Sequence, residues 1–438
     1  MEITQELLKQ FKNKYNKNKN SKIIENTIVK NGIDASSINH ETIKKHNFVF
    51  NVETTKGEIT NQKNSGRCWI FASLNMARVI VMKKLNVANI ELSQNYLAFY
   101  DKLEKANTFL HNIELTKHLE VSNHLVQQFL TSPCPDGGYW EYFQSLVLKY
   151  GVVPKEVMPE TFQSERTYEL NDQISLRLRK YAKLIRESSS KSEIDKLKET
   201  CLSEIYDILC KSLGVPPQKF SFEYKDKDNK YEKISNISPV EFFEKFIGKE
   251  FIDKVDIIHD PRDIYKHGSA FVLKYAYSVL NKNEVKMINV PLQELKNATI
   301  KSLEDGNPVW FGCDVGKYSN SKLGIMDTEL FNYNDIFSDT SDFTKADRLQ
   351  YRESGLSHAM SFVGVNIDKK HKVTNWMVEN SWGSDSGKKG IFSMSDKWFD
   401  EFNYSVIVDK KYVDEKYLKT AESEIVEIEP WDVLCKFN

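Results

Sequence analysis

The sequence lacks long apolar runs, and none of its apolar stretches approaches the length of a membrane-spanning helix. Its first residues, MEITQELLKQFKNKY, contain no apolar core of the kind found in secretory signal peptides. These two absences predict a protein that is neither exported through such a signal nor anchored in a membrane.

The chain also lacks an excess of charge of either sign, because its 438 residues include 61 Lys and Arg and 62 Asp and Glu. A near-neutral chain has no general attraction for nucleic acid or for anionic lipid. The lysine-rich stretch KQFKNKYNKNKNSK is interspersed with asparagines, which offer no surface for stacking bases. We interpret it as a solvated helix and loop, and expect nucleic-acid binding to be absent or weak.

Cysteine is sparse and shows no pairing pattern. The six cysteines have no CxxC spacing: Cys68, Cys134, Cys201, Cys210, Cys313 and Cys435. This argues against a disulfide framework and a zinc site, and indicates a reducing, cytoplasmic environment. His111, His118 and His124 are seven and six residues apart, which does not stack them on one helix face. We therefore expect no metal and no other cofactor.

Helical periodicity dominates the first part of the chain. Apolar residues recur at helical spacing after Ser65, which makes Ser65 the expected N-cap and Cys68 the third residue of a helix. A second helix is expected after Ser93. Between about 160 and 260, two apolar stripes separated by SSSKS predict a helical hairpin with charged outer faces.

The last third of the chain is predicted to form β-strands. SHAMSFVGVNI (357–367) and VTNWMVENSWG (373–383) are rich in β-forming residues and flank the polar turn DKKHK. Together with the helices before them, these strands predict an α+β fold with a helical insertion.

Cys68 is the candidate nucleophile. A thiol reacts as the thiolate, and the first turn of a helix is expected to lower its pKa through the helix dipole and the free backbone amides. Such a nucleophile needs a base and a group that orients the base. If the turn is centred near Lys369, His358 and Asn380 lie within one position of directly opposite each other, so the amide can reach the imidazole.

Gln62 completes the arrangement, because its side-chain amide and the Cys68 N–H could bind the oxyanion of a tetrahedral intermediate. Taken singly, these residues have simpler explanations: a buried thiol, a satisfied strand histidine and a plain turn at NSWG. Four agreeing roles favour the Cys–His–Asn arrangement of papain-like proteases.

The motifs GRCW, with Gln62 six residues before the cysteine, and NSWG resemble papain-like cysteine peptidases. Two departures from the usual papain-like sequence narrow the range of families that the chain resembles. The cysteine that usually precedes the glycine of the first motif is Ser65, which removes half of a disulfide. His358 lies 290 residues after Cys68, far beyond the usual 130–150.

With no long segment before Cys68, the sequence resembles the bleomycin hydrolase/aminopeptidase C family. The matching stretches extend from the N-terminal region to the last ten residues: NQKNSGRCWIFASLN, ELSQNYLAFYDKLEKAN, CPDGGYW, SGLSHAMSFVGV, WMVENSWG, MSDKWFDEF and EPWD. The resemblance implies a papain-like core, a helical half plus an antiparallel β half, and a homohexamer whose active sites face an inner cavity. It implies the following division: 1–160, an extension and the helical half with Cys68; 161–260, a mostly helical insertion with oligomer contacts; 261–438, the β half with His358 and Asn380, ending in an arm at 428–438.

The resemblance also implies roles for further residues. Gly137 and Gly138 match a glycine pair that offers backbone groups to an extended substrate, although an Asp-Gly hairpin turn explains them equally well. Trp382 matches a tryptophan that shields the histidine and asparagine from water. The α-carboxylate of Asn438 would bind the substrate's ammonium group, but VLCKFN is bulkier than the ends of relatives, which makes self-trimming of the last residue doubtful.

These features predict a cytoplasmic cysteine aminopeptidase of broad specificity that acts on peptides through an acyl-enzyme on Cys68, with hydrolysis of bleomycin-like amides possible. Two other classes remain open at this stage: a nucleic-acid-binding protein and a catalytically inactive papain-like scaffold.

Overall fold

The fold has a helical half and a half built on a large mixed sheet, as seen in a computed structural model that describes residues 1–435. Within these residues the α-helices are α1 Gln5–Lys17, α2 Ser21–Asn31, α3 Ile33–Ser37, α4 His40–Lys45, α5 Cys68–Leu85, α6 Gln94–Leu115, α7 His124–Thr131, α8 Trp140–Tyr150, α9 Phe162–Glu165, α10 Tyr168–Glu187, α11 Lys191–Leu213, α12 Pro239–Phe246, α13 Leu292–Glu304, α14 Tyr333–Ile336, α15 Lys345–Gln350, α16 Asp396–Phe402 and α17 Glu415–Ser423.

The strands are β1 Val52–Glu53, β2 Phe220–Lys225, β3 Tyr231–Ile237, β4 Lys254–Ile258, β5 Ala270–Leu273, β6 Lys286–Asn289, β7 Val309–Cys313, β8 Ser319–Asn320, β9 Ile325–Met326, β10 His358–Ile367, β11 Val373–Glu379, β12 Ile391–Ser395, β13 Asn403–Asp409 and β14 Ile425–Ile428. Single 3-10 turns occur at Lys155–Val157, Lys249–Phe251, Lys410–Tyr412 and Val433–Cys435.

Among the described residues, one sheet runs in the order β14-β5-β6-β4-β13-β7-β10-β11-β12-β9-β8, with β1 paired to β10. Strands β2 and β3 form a separate antiparallel hairpin. No helix between residues 1 and 435 has the length and apolar character that crossing a bilayer requires. The architecture confirms the predicted α+β class and the papain-like core.

Helix α5 is the contact between the two halves. It is buried along most of its length, so it is apolar on nearly every face. Trp310 on β7 donates its indole N–H to the carbonyl of Trp69 at 3.3 Å, and Ser361 on β10 donates to the carbonyl of Ala72 at 3.4 Å. The first turns of α5 are therefore fixed against the centre of the sheet.

The expected N-cap of this helix is wrong. Helix α5 begins at Cys68 itself, so Cys68 is its first residue and not its third. Arg67 occupies the cap position without a side-chain cap. The Ser65 hydroxyl instead donates to the carbonyl of Gln62 at 2.6 Å, because the chain turns back on itself before the helix. Ser93, in contrast, caps α6 as expected by accepting from the backbone N–H of Tyr96.

The predicted helical hairpin is present as α10 and α11, whose break falls at residues 188–190. Ser190 caps α11 by accepting from the backbone N–H of Glu193. The segment 161–260 also contains the β2–β3 hairpin and β4, and β4 pairs with β6 and β13 in the main sheet. The division into three regions remains a prediction.

The strand hairpin β10–β11 is present, but its predicted register is wrong. Ser361 pairs with Glu379, so continuing this register would place Asn380 opposite Met360, two positions from His358. Register shifts occur between Phe362 and Gly364 and again near the turn. These two shifts lie on opposite strands and cancel. Ile367 pairs with Val373, so the turn is centred on Lys370, one residue beyond Lys369, which moves every partner by two positions.

Candidate active site

Four of the predicted site residues come from three parts of the fold. Cys68 starts α5, His358 starts β10, and Asn380 and Trp382 follow the end of β11. A buried ion pair between Arg78 on α5 and Glu379, at 2.8 Å, connects the helix that carries Cys68 to the strand that precedes Asn380. Both side chains are almost fully excluded from solvent, where removing one partner of a pair is costly.

His358 is held by Asn380 and covered by Trp382. Its Nε2 lies 3.1 Å from the Asn380 Oδ1, which also accepts from the backbone N–H of Ser381 at 2.8 Å. The Trp382 ring lies against the imidazole, with centroids 4.9 Å apart. Since Oδ1 is an acceptor, it selects the form of His358 that carries a proton on Nε2 and leaves Nδ1 for the reaction.

Cys68 adjoins the same strand, because its thiol is reached by the backbone N–H of Ala359, the residue after His358. Burial raises the pKa of the Cys68 thiol to about 11, although the backbone N–H groups of Ala359 and Trp69 act to lower it. The expected lowering by the helix start is therefore outweighed by burial, because Cys68 is only 5% exposed.

Burial also lowers the pKa of His358 to about 4, and the hydrogen bond to Asn380 only partly opposes this. Each group alone thus favours its neutral form. Transfer of the thiol proton to His358 would create two opposite charges, whose attraction would offset part of the cost of burying them. The arrangement suits a nucleophile that is activated by its base and not by the helix dipole alone.

Gln62 is fixed by hydrogen bonds at both ends of its amide. Its Nε2 donates to the carbonyl of Ser65 at 2.6 Å, and its Oε1 accepts from the Ser381 hydroxyl at 2.7 Å. Ser381 thus sets which way the amide points. The sequence analysis missed Ser381, although it lies inside the NSWG motif, because only Asn380 and Trp382 of that motif had an assigned role.

The glycine pair lies in the loop between α7 and α8, and no strands flank it, so the hairpin-turn interpretation is wrong. A Cβ at Gly138 would lie 2.6 Å from the Trp69 ring, which requires glycine where the loop passes Cys68. The carbonyl of Gly137 faces inward and accepts from Lys105 Nζ at 2.5 Å. Asn438 lies outside the described residues.

Within residues 1–435, the structure gathers no three His, Cys, Asp or Glu side chains in a way that could hold a metal ion.

Comparison with known proteins shows which family the chain matches. The chain matches the model of the Peptidase C1-like family over residues 2–435. It is 40% identical over 432 residues to Aminopeptidase C of Listeria monocytogenes, covering 98% of each chain. It is 39% identical over 399 residues to the bleomycin hydrolase of Homo sapiens, covering 89% of this chain and 88% of the human one. The crystal structure of PepW from Lactobacillus rhamnosis superposes with a TM-score of 0.96 at 38% identity, covering 99% of this chain and 98% of PepW.

The fold and the site define a papain-like cysteine peptidase. The chain belongs to the Peptidase C1-like family, which confirms the resemblance found in its motifs. These relatives do not favour either alternative, a nucleic-acid-binding protein or an inactive scaffold.

Proposed function

We propose that this enzyme, a cysteine-type aminopeptidase, removes N-terminal residues from peptides through an acyl-enzyme on Cys68. The observation that carries the proposal is the meeting of Cys68 with the start of β10, where His358 is bound to Asn380 and covered by Trp382. His358 takes the thiol proton as Cys68 attacks the first peptide carbonyl, then gives it to the leaving amine. Water, activated by the same imidazole, releases the amino acid from Cys68.

Asn380 and Trp382 keep His358 in the productive orientation. The Asn380 Oδ1 accepts from Nε2–H and stabilises the imidazolium that forms during the reaction. The tryptophan ring keeps water from competing for that hydrogen bond, which strengthens it.

Gln62 and the Cys68 backbone N–H form the proposed oxyanion site. One N–H of the Gln62 amide is used by the carbonyl of Ser65, and the other is the proposed donor to the oxyanion. Because Ser381 holds Oε1, the amide needs no reorganisation when negative charge develops.

Replacing Gln62 with alanine is expected to lower kcat by about 10²–10³, the usual cost of one oxyanion donor. Steady-state kinetics on a dipeptide amide measures this. Gln144→Ala is the matched control, because Gln144 also donates to a backbone carbonyl, that of Ile252, but lies on α8. A Gln62→Ala enzyme with unchanged kcat would remove Gln62 from the oxyanion site.

The contacts of the C-terminal arm support a preference for the amino ends of peptides. Trp431 stacks on His124 with centroids 4.3 Å apart, and Asp432 pairs with Arg262 at 2.9 Å. The carbonyl of Leu434 accepts from the Tyr139 hydroxyl at 3.0 Å, so the described arm ends beside the glycine loop. We propose that the tail beyond it closes the amino side of the cleft and that the Asn438 carboxylate binds the substrate's ammonium group.

We propose that the backbone of Gly138 and the backbone N–H of Gly137 bind the extended substrate. The proposed specificity is broad, and it includes amides of the kind named by the bleomycin hydrolase relative.

A time course on one defined peptide, followed by mass spectrometry, tests the proposed function. Successive loss of single residues from the amino end is expected. Internal fragments as the first products would contradict the proposal.

We further propose a cytoplasmic homohexamer. Cysteines that are all unpaired suit a reducing compartment. Exposed apolar residues on the insertion and on the N-terminal helices suit contacts with other copies, among them Leu176 on α10 and Phe11 on α1, which are 59% and 51% exposed.

Light scattering is expected to give a mass about six times the 50.9 kDa of the chain. Leu176→Lys should lower that mass, because it places a charge in an apolar contact. Ile425→Lys, at an exposed apolar position on β14 outside the insertion and the N-terminal helices, is the control. A stable monomer at micromolar concentration would refute the assembly.

A further inference from the structure

The turn of Ser65, Gly66 and Arg67 before the nucleophile is held by two carboxylates. The Gly66 N–H donates to Asp136 Oδ2 at 2.8 Å. The Arg67 guanidinium forms a two-point pair with Glu160 at 2.8 and 3.2 Å. Ser65 stands where the resemblance leads one to expect a cysteine, so this turn has no disulfide to fix it.

Asp136 is the more heavily bonded of the two carboxylates. Besides Gly66, it accepts from Thr167 at 2.5 Å and from Asn171 at 2.8 Å, and it pairs with Lys102 at 2.6 Å. The Lys102 side chain is 3% exposed. Burial acts to raise the pKa of Asp136, but the Lys102 charge and the hydrogen bonds outweigh it and hold that pKa well below its ordinary value.

Asp136 also contacts residues on both sides of Cys68 in the sequence. A Cβ at Gly66 would lie 2.6 Å from the Asp136 Cβ, so the turn runs directly against this residue. The backbone carbonyl of Asp136 accepts from the Trp69 indole N–H at 2.8 Å. Residues 66 and 69 are thus both fixed to one residue, and Cys68 lies between them.

We propose that Asp136 is a positioning residue for Cys68. Its ion-paired carboxylate fixes the turn, which has no disulfide at Ser65. The fixed turn keeps the Cys68 thiol and N–H in line with the attacked carbonyl. The proposal rests on Cys68 being the nucleophile. It also links the site to the insertion, because Thr167 and Asn171 bind the same carboxylate.

Asp136 has two separable roles, since its oxygens accept hydrogen bonds from Gly66, Thr167 and Asn171, and its charge neutralises Lys102. Breaking a buried pair by removing one partner destabilises a protein strongly, whereas removing both partners is often tolerated. Two double variants therefore isolate the first role. Asp136→Asn with Lys102→Met retains an oxygen for the Gly66 N–H, and Asp136→Ala with Lys102→Met does not.

The experiment measures kcat and KM on a dipeptide amide, together with the rate of iodoacetamide modification of the Cys68 peptide by mass spectrometry. The asparagine double variant is expected to stay within about threefold of wild type, and the alanine double variant to lose about tenfold in kcat with little change in KM. Modification of Cys68 should slow in parallel. A role in stability alone would lower the melting temperature and leave both rates unchanged.

Gly66→Ala tests the same contact from the other side without removing either partner of the ion pair, and it decides the matter if a double variant fails to fold. It should also slow kcat and Cys68 modification about tenfold. Asp409→Asn, which removes a pair with Lys254 in the sheet, is the control. Wild-type rates in both Gly66→Ala and the alanine double variant would overturn the proposal. Because the modification rate needs no turnover, it distinguishes this outcome from a wrong nucleophile.

Discussion

Replacement of Cys68 with alanine is expected to reduce peptide hydrolysis by roughly 10⁵-fold or more, since removal of a nucleophile eliminates the covalent route. The fold should persist. Cys68 is the first residue of α5, makes no cap, and loses only its sulfur atom in the variant. The measurement is the rate of release of the first residue from a peptide amide, with circular dichroism and light scattering on the same samples.

Cys201→Ala is the matched control for this variant. Cys201 is fully buried on α11, far from the site in the fold, so its loss should lower stability through a small cavity and leave kcat unchanged. If Cys68→Ala keeps its activity while Cys201→Ala loses it, the nucleophile has been assigned to the wrong residue.

Removal of residues 436–438 is expected to convert the enzyme from end trimming toward internal cleavage. A papain-like cleft is open at both ends, so Cys68 and His358 alone give no preference for a free amino terminus. A charge pair with the substrate's ammonium at about 4 Å is worth about 4 kcal/mol at an effective dielectric constant of 20. Its loss should reduce the preference for free over N-acetylated peptides by up to roughly 10³-fold.

This truncation leaves the anchor of the arm in place. Val433, Leu434 and Cys435 are buried, and Arg262 still pairs with Asp432, so the core should not be disturbed. Hydrolysis of a peptide without a free amine, relative to one with it, is measured in both enzymes. Unchanged stepwise trimming by the truncated enzyme would show that the tail does not determine where substrates are cut.

The sequence was sufficient to select Cys68, His358 and Asn380 as one candidate site, because each lies in a short motif with its own chemistry. It was not sufficient for the shape of the turn before Cys68. Ser65 has the residue type of an N-cap, but its hydroxyl is directed to Gln62. Asp136 and Glu160 set that turn from 70 and 93 residues away, which no local pattern shows.

The pairing of His358 with Asn380 was predicted for a reason that proved only partly correct. The two residues do meet, but diagonally and not directly across the hairpin, because the turn is centred one residue later than expected. The acidity of Cys68 could not be predicted either. Helix position is visible in the sequence, whereas the burial that dominates the pKa depends on the closed fold.

The packing of α5 against β10 has a consequence for synthesis. The hydrogen bond between Ala72 and Ser361 joins residues 289 positions apart. At about 5–20 residues per second, the ribosome needs roughly 15–60 s to add the second partner after the first. During that interval the nascent chain lacks His358, so the proposed catalytic pair is incomplete and the growing chain is not expected to hydrolyse peptides. We therefore expect activity to appear only after β10 has been synthesised and has packed against α5.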